Sequence, residues 1–114
     1  MFISFYVTTT ALKFLDTDKM GKKYENDMFV ADINNGFIYD FDLNQNRTQI
    51  APSTHNDTNT QFTDRIANNI EESKDAVFAS GFPGITDLEV GLDGHLYVLS
   101  FHKSLGRIHK IVPR

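Results

Sequence analysis

The residues of this chain whose types and spacing suit chemistry are rich in oxygen and fall in three short places: Asp32-Ile-Asn34-Asn35, Thr86-Asp87 and His102-Lys103. Asp32, Asn34, Asn35 and Asp87 carry carboxylate and amide groups that a hard cation such as calcium takes, or that hydrogen-bond to sugar hydroxyls. Asn34-Asn35-Gly36 is equally a turn, and Asp87 equally a residue that caps or orients a loop. His102 beside Lys103 pairs a base with a cation, or else belongs to a solvated loop. The four histidines, His55, His95, His102 and His109, have no metal-ligand spacing. His95 and His109 fall on predicted strands, at the surface or between sheets. Asp16 with Asp18, and Asp40 with Asp42, are paired carboxylates. The second pair shares a strand face by period two, an arrangement that keeps an outer strand soluble. Asn46-Arg-Thr48 and Asn56-Asp-Thr58 fit the N-glycosylation pattern, which matters only in an exported protein. The sequence contains no phosphate loop, nucleophile elbow or zinc motif.

Composition narrows the partners. The chain has 114 residues, is 40% apolar and carries a formal charge of −4, so it is a globular chain of at most one ordinary domain with no basic field. Nucleic acid and anionic membrane surfaces are therefore not expected partners. With no cysteine, disulfides, thiol nucleophiles and thiolate metal sites are excluded. The opening Met1-Phe-Ile-Ser-Phe-Tyr-Val lacks a positive leader and a cleavage site, and it is too short to span a bilayer. It reads as a strand, and an export signal of an intact protein would lie upstream.

The elements that must position the polar residues are strands. Ile3 to Val7, Ala11 to Leu15, Met28 to Ile33 and Phe37 to Leu43 are aromatic, β-branched or alternating runs, the last two joined by the hairpin signal Asn34-Asn35-Gly36. Gln49 to Ala51 supplies a short outer strand ended by Pro52. From Pro52 to Asp75 the pattern turns polar, and Phe62, Ile66 and Ile70 recur at four-residue spacing, which predicts a short helix capped by Thr63 or Asp64. Glu71 and Glu72 form its solvated face. Strands return at Ala76 to Ala79, Ile85 to Val90, His95 to Phe101 and Gly106 to Val112, with Asp93-Gly94 as a tight turn.

Two segments about 70 residues apart resemble each other. Aligning Asp27 to Ile33 with His95 to Phe101, and Gly36 to Phe41 with Gly106 to Ile111, sets Phe29 on Tyr97, Val30 on Val98 and Ile38 on Ile108. Such repeats suit a β-propeller, whose four-stranded blades each have two apolar faces and need neighbours. The expected fold is all-β, a partial propeller of about two blades with a short helical insertion: blade one over about 10–51, the insertion over 52–75, the last blade over 76–114. A small independent β-sandwich is the alternative. Unpaired edges and bare faces predict a piece of a larger protein that joins missing blades of its parent, or self-association.

The runs Thr10-Ala-Leu-Lys-Phe-Leu, Lys23-Tyr-Glu-Asn-Asp-Met-Phe-Val-Ala-Asp, Asn35-Gly-Phe-Ile-Tyr-Asp-Phe-Asp-Leu and Gly84-Ile-Thr-Asp-Leu-Glu-Val-Gly-Leu-Asp-Gly-His-Leu-Tyr-Val-Leu-Ser resemble the C-terminal end of the soluble quinoprotein sugar dehydrogenases, the glucose/sorbosone dehydrogenase family. The resemblance implies a six-bladed propeller, usually exported to the periplasm or the extracellular space. It also implies oxidation of a sugar or related alcohol by hydride transfer to pyrroloquinoline quinone held with calcium. It places the cofactor positions at Asn34, Gly84 and Thr86, where the family presents a lysine and two arginines, and the general-base histidine on an earlier blade. On the loop face of such a propeller, Asp32 and Asp87 are the candidate calcium ligands by their oxygen chemistry. A non-catalytic propeller module that binds carbohydrate or protein through its loop face is the second reading, favoured by the replaced cations.

Overall fold

Alternation of apolar and polar residues commits a segment to a strand only if the apolar side finds a partner surface. The computed structural model, which describes residues 2–3, 7–43, 66–67 and 74–113, contains nine strands among them: β1 (Phe2–Ile3), β2 (Thr9–Phe14), β3 (Met28–Asp32), β4 (Phe37–Phe41), β5 (Ile66–Ala67), β6 (Val77–Ala79), β7 (Ile85–Val90), β8 (Leu96–His102) and β9 (Leu105–Ile111). Their order is β2-β3-β4-β6 in one antiparallel sheet and β7-β8-β9 in a second, while β1 pairs in parallel with β5. The described residues are thus mostly β and contain no α-helix, only short 3-10 turns at Lys22–Tyr24 and Lys74–Ala76. Neither sheet closes on itself.

The two sheets repeat one another down to the register. In the first, Met28, Phe29, Val30 and Ala31 face Phe41, Asp40, Tyr39 and Ile38 across the hairpin. In the second, Leu96, Tyr97, Val98 and Leu99 face Ile111, Lys110, His109 and Ile108. Every one of these pairs corresponds under the sequence alignment. The likeness reaches the leading strands, where a register shift between Thr9 and Ala11 on β2 matches one between Ile85 and Asp87 on β7. Loop hydrogen bonds correspond as well. The Ile33 amide donates to the Thr8 carbonyl as that of Phe101 donates to Gly84, and the Leu15 amide donates to Asp27 as that of Gly91 donates to His95.

One face of the first sheet stacks on one face of the second. Phe29, Ala31 and Ile38 form a single core with Ile85, Leu88, Leu96 and Val98, completed by Leu15 and Met20 from the loop after β2. Phe29, Ile38, Ile85, Leu96 and Val98 are wholly shielded from solvent, and each such side chain contributes about 1.5–3 kcal/mol by leaving water. Phe78 and Tyr24 close the rim, with the Phe78 ring edge-on to Phe29 at 5.0 Å and to Tyr24 at 5.1 Å. The opposite face of the first sheet gathers a smaller cluster, Tyr39, Phe41 and Ala76 with Met28, Val30, Phe37 and Val77.

Two expectations meet a different arrangement. Val77–Ala79, read as the opening of the last blade, instead extends the first sheet, pairing Ile38 with Ala79 and Tyr39 with Val77. The free edge of β4 supplies the backbone partners that this short strand needs. At Ile66–Ala67, inside the predicted helix, the backbone pairs as a strand with Phe2–Ile3. The rest of that predicted helix, the outer strand at Gln49 to Ala51, His55, Glu71, Glu72 and both glycosylation patterns lie outside the described residues.

Because Phe29 fills the space between the sheets, Phe29→Ala is expected to lower the unfolding free energy by about 3–5 kcal/mol in urea denaturation. Leu92, fully exposed in the β7–β8 turn, is expected to tolerate alanine within about 0.5 kcal/mol.

Candidate functional site

Antiparallel topology brings the start of β2, the β3–β4 turn, the β6–β7 connection and the β8–β9 turn to one end of the stacked sheets. Asp32 organises this end. The carboxylate is completely buried. Its Oδ1 accepts from the amides of Asn34 at 2.9 Å, Asn35 at 3.4 Å and Thr8 at 3.4 Å, and its Oδ2 accepts from Asn35 Nδ2 at 2.6 Å and the Tyr39 hydroxyl at 3.0 Å. This is an Asx turn, in which a side-chain carboxylate replaces backbone acceptors and bends the chain. Both oxygens are spent on holding the hairpin. Asn34 stands exposed at the tip and donates from Nδ2 to Thr8 Oγ1 at 2.8 Å.

The second sheet contributes Gly84, Thr86, Asp87, His102 and Lys103. Gly84 has φ +68°, and a Cβ there would run into the Phe101 carbonyl, so this position is held by backbone geometry. The Thr86 hydroxyl donates to the Leu99 carbonyl at 3.2 Å, and Asp87 Oδ1 accepts from the adjacent Leu88 amide at 2.9 Å. Lys103 and Ser104 both have positive φ, 50° and 62°, the geometry of a two-residue hairpin turn matched to strand twist. His102, Lys103, Thr86 and Asp87 are all exposed. The two groups meet where the Phe82 amide donates to the Gly36 carbonyl at 3.3 Å and the Thr10 hydroxyl donates to the Ile85 carbonyl at 2.8 Å. Asp32 lies on the face of the first sheet away from the core, whereas Asp87 lies on the outer face of the second. They belong to no common cluster of cation-ligating groups among the described residues.

At the opposite end the fold assembles a carboxylate trio from Asp27, Asp40 and Asp42, with one oxygen of each inside a 4.8 Å group. Asp40, read from sequence as half of an exposed solubilising pair, is 6% exposed, and Asp27 is 5% exposed. The hairpin register explains the burial. Phe29 opposite Asp40, and Met28 opposite Phe41, carry the pairing on to Asp27 and Asp42, so the Asn-Asn-Gly turn already encoded this meeting. Desolvation pushes the Asp27 carboxyl up to about 9, and hydrogen bonds and repulsion from Asp40 and Asp42 push the same way. A proton on Asp27 lets it donate to its neighbours, while the ionised trio is the oxygen set that a hard cation would take. The Lys23 ammonium, 4.7 Å from the Tyr24 ring centroid, adds a positive charge beside Asp40 and Asp42.

A third polar group lies in the β7–β8 turn. Asp93 binds Lys110 Nζ at 2.8 Å, the Tyr97 hydroxyl at 2.8 Å and the His95 amide at 3.1 Å. These donors hold its carboxyl well below the usual range, with Lys110 the largest cause. No family model matches the chain, and no curated protein or solved structure matches it.

Asp32→Ala strands the Tyr39 hydroxyl and the turn amides, and is expected to cost about 2–4 kcal/mol in chemical denaturation. Asp32→Asn, which keeps one acceptor oxygen, is expected to cost less. Between the ordinary carboxylate value of 3.8 and about 9, folded Asp27 keeps a proton that the unfolded chain has lost. Its contribution therefore falls as pH rises through that window. Melting temperature measured across the window is expected to decline with pH, and to decline less in Asp27→Asn.

Proposed function

We propose that this chain forms two adjacent blades of a six-bladed β-propeller of the quinoprotein sugar-dehydrogenase kind, and that it walls the ligand end of that ring. Carrying this reading is the repeat itself: two meanders share their hairpin register and their bulge, stack face to face, and present equivalent turns at one end. That end offers Asn34, Thr86, Asp87, His102 and Lys103 as exposed hydrogen-bonding groups, suited to the hydroxyls of a sugar or related alcohol.

Pyrroloquinoline quinone is a tricarboxylate, and Asn34, Gly84 and Thr86 give it no cation. Charge-assisted hydrogen bonds, generally worth about 1.5–3 kcal/mol each, are missing at these three positions. Two further observations fit the quinone poorly: the Thr86 hydroxyl is engaged by the Leu99 carbonyl and Gly84 is packed against Phe101. No chemical step is routed through the quinone by these residues. In the enzyme reading the cofactor's cations and the general base come from other blades, and this chain orients substrate and excludes water. The same engaged side chains favour a second reading, a propeller module that binds carbohydrate without turnover.

Thermal unfolding of the chain with a panel of monosaccharides, and separately with pyrroloquinoline quinone plus calcium, tests both readings. A rise in melting temperature with sugar is expected, reduced in Asn34→Ala and His102→Ala. A rise that needs quinone and calcium together would place the cofactor's contacts within this chain and favour the enzyme. Indifference to sugar and quinone alike would overturn both readings.

A further inference from the structure

The two sheets match strand for strand up to their last position, which only the first one fills. There the outer edge of β4 takes Val77–Ala79, which pairs antiparallel with Ile38 and Tyr39. In the repeat, Ile38 and Tyr39 correspond to Ile108 and His109 of β9, and among the described residues no strand pairs with the outer edge of β9. The two-residue turn at Lys103 and Ser104 makes His102–Leu105 a hydrogen-bonded pair. Bonded and non-bonded pairs then alternate, so Arg107 and His109 bond to β8 while Gly106, Ile108 and Lys110 turn their amides and carbonyls outward. All three are exposed. Gly106, having no side chain, is exposed through its backbone, and Ile108 is 72% exposed.

Charge points to the occupant of this edge. The chain is acidic overall, yet no acidic residue follows Asp93, whereas Lys103, Arg107, Lys110 and Arg114 do. Lys110 is already bound to Asp93. Lys103 and Arg107 are exposed and in no ion pair among the described residues. Side chains alternate along β9, with Arg107 and His109 on one face and Ile108 on the other beside Leu99 and Phe101 of β8. Asp87 is the acid opposite Leu99, but it sits on β7, with β8 between it and β9.

We propose that the outer edge of β9 accepts an extended segment of another protein as a fourth, antiparallel strand. The segment alternates acidic and apolar residues, placing an acid opposite Arg107 and an apolar side chain opposite Ile108. Main-chain hydrogen bonds to Gly106, Ile108 and Lys110 supply the affinity, and the two faces of the added strand supply the choice of sequence. Its orientation follows that of β6 on β4. The inference rests on the repeat and on the charge of β9, and it holds whatever ligand the turn end takes.

Fluorescence anisotropy of a labelled peptide of alternating valine and glutamate, titrated with the full chain at low salt, tests this. Saturable binding is expected. It is expected to weaken by about tenfold or more when lysine replaces glutamate in the peptide, and likewise in Arg107→Glu. Circular dichroism checks that the variant folds, and Arg107→Gln serves if it does not. The residue opposite Ile108 exchanges both backbone bonds with it, so N-methylation of the valine amides is expected to abolish binding while N-methylation of the glutamate amides spares it. Two N-methylated peptides that bind alike would mean charge attraction without an added strand and would overturn the proposal. The same holds if the glutamate peptide does not bind, or binds no better than the lysine one. A chain that sediments as a dimer and takes no peptide gives the edge to a second copy, which overturns it as well.

Discussion

Phe29, Ala31 and Ile38 leave water only because Ile85, Leu88, Leu96 and Val98 cover them, and this stacking is the contact on which the other features rest. A three- or four-stranded meander has two faces and no interior, so the face that carries Phe29, Ala31 and Ile38 depends on the second sheet for its cover. Stacking also brings the β6–β7 connection against the β3–β4 turn, where the Phe82 amide donates to the Gly36 carbonyl. The β3–β4 turn, the β6–β7 connection and the β8–β9 turn consequently collect at one end. The polar residues of that end lie near one another only because the core beneath them is shared.

Buried polar groups are then placed where the backbone needs them. Asp32 spends both oxygens on the hairpin and on the Tyr39 hydroxyl, and its counterpart Ser100 is equally buried on the second sheet. Full satisfaction is what makes a buried carboxylate affordable in such a turn. Asp27 meets two carboxylates and answers the repulsion by holding its proton. One aspartate therefore serves the turn by having both oxygens satisfied, the other meets two carboxylates at the far end and keeps its proton, and local donors and acceptors decide which.

The strand-level organisation was legible because it is written in period and punctuation. Met28–Asp32 and Phe37–Phe41 flank Asn-Asn-Gly, Ile85–Val90 and Leu96–His102 flank Asp-Gly, and all four formed within a residue or two of the boundaries read from sequence. The alignment of Phe29 with Tyr97 and Ile38 with Ile108 was legible too, and the hairpin registers follow it. Less legible was the neighbour of Val77–Ala79. A three-residue strand carries no mark of its partner, and the choice went to the open edge of β4. The burial of Asp40 was hidden for a related reason, since period two gives the face of a residue but not what stands across from it.

By itself the sequence determined the β class, the turns, the absence of thiol chemistry and the existence of a repeat, because these depend on local propensity, residue type and self-similarity. Tertiary structure alone decided which of two identical-looking apolar faces is covered. Phe29 and Tyr97 occupy the same register position, yet one is sealed between sheets and the other stands on an outer face. Burial is a property of pairs of surfaces, and no single strand encodes its cover. The same reason separates Asp32 from Asp40: each is an acid on a strand, and only the donors and acceptors that folding gathers around it settle its role.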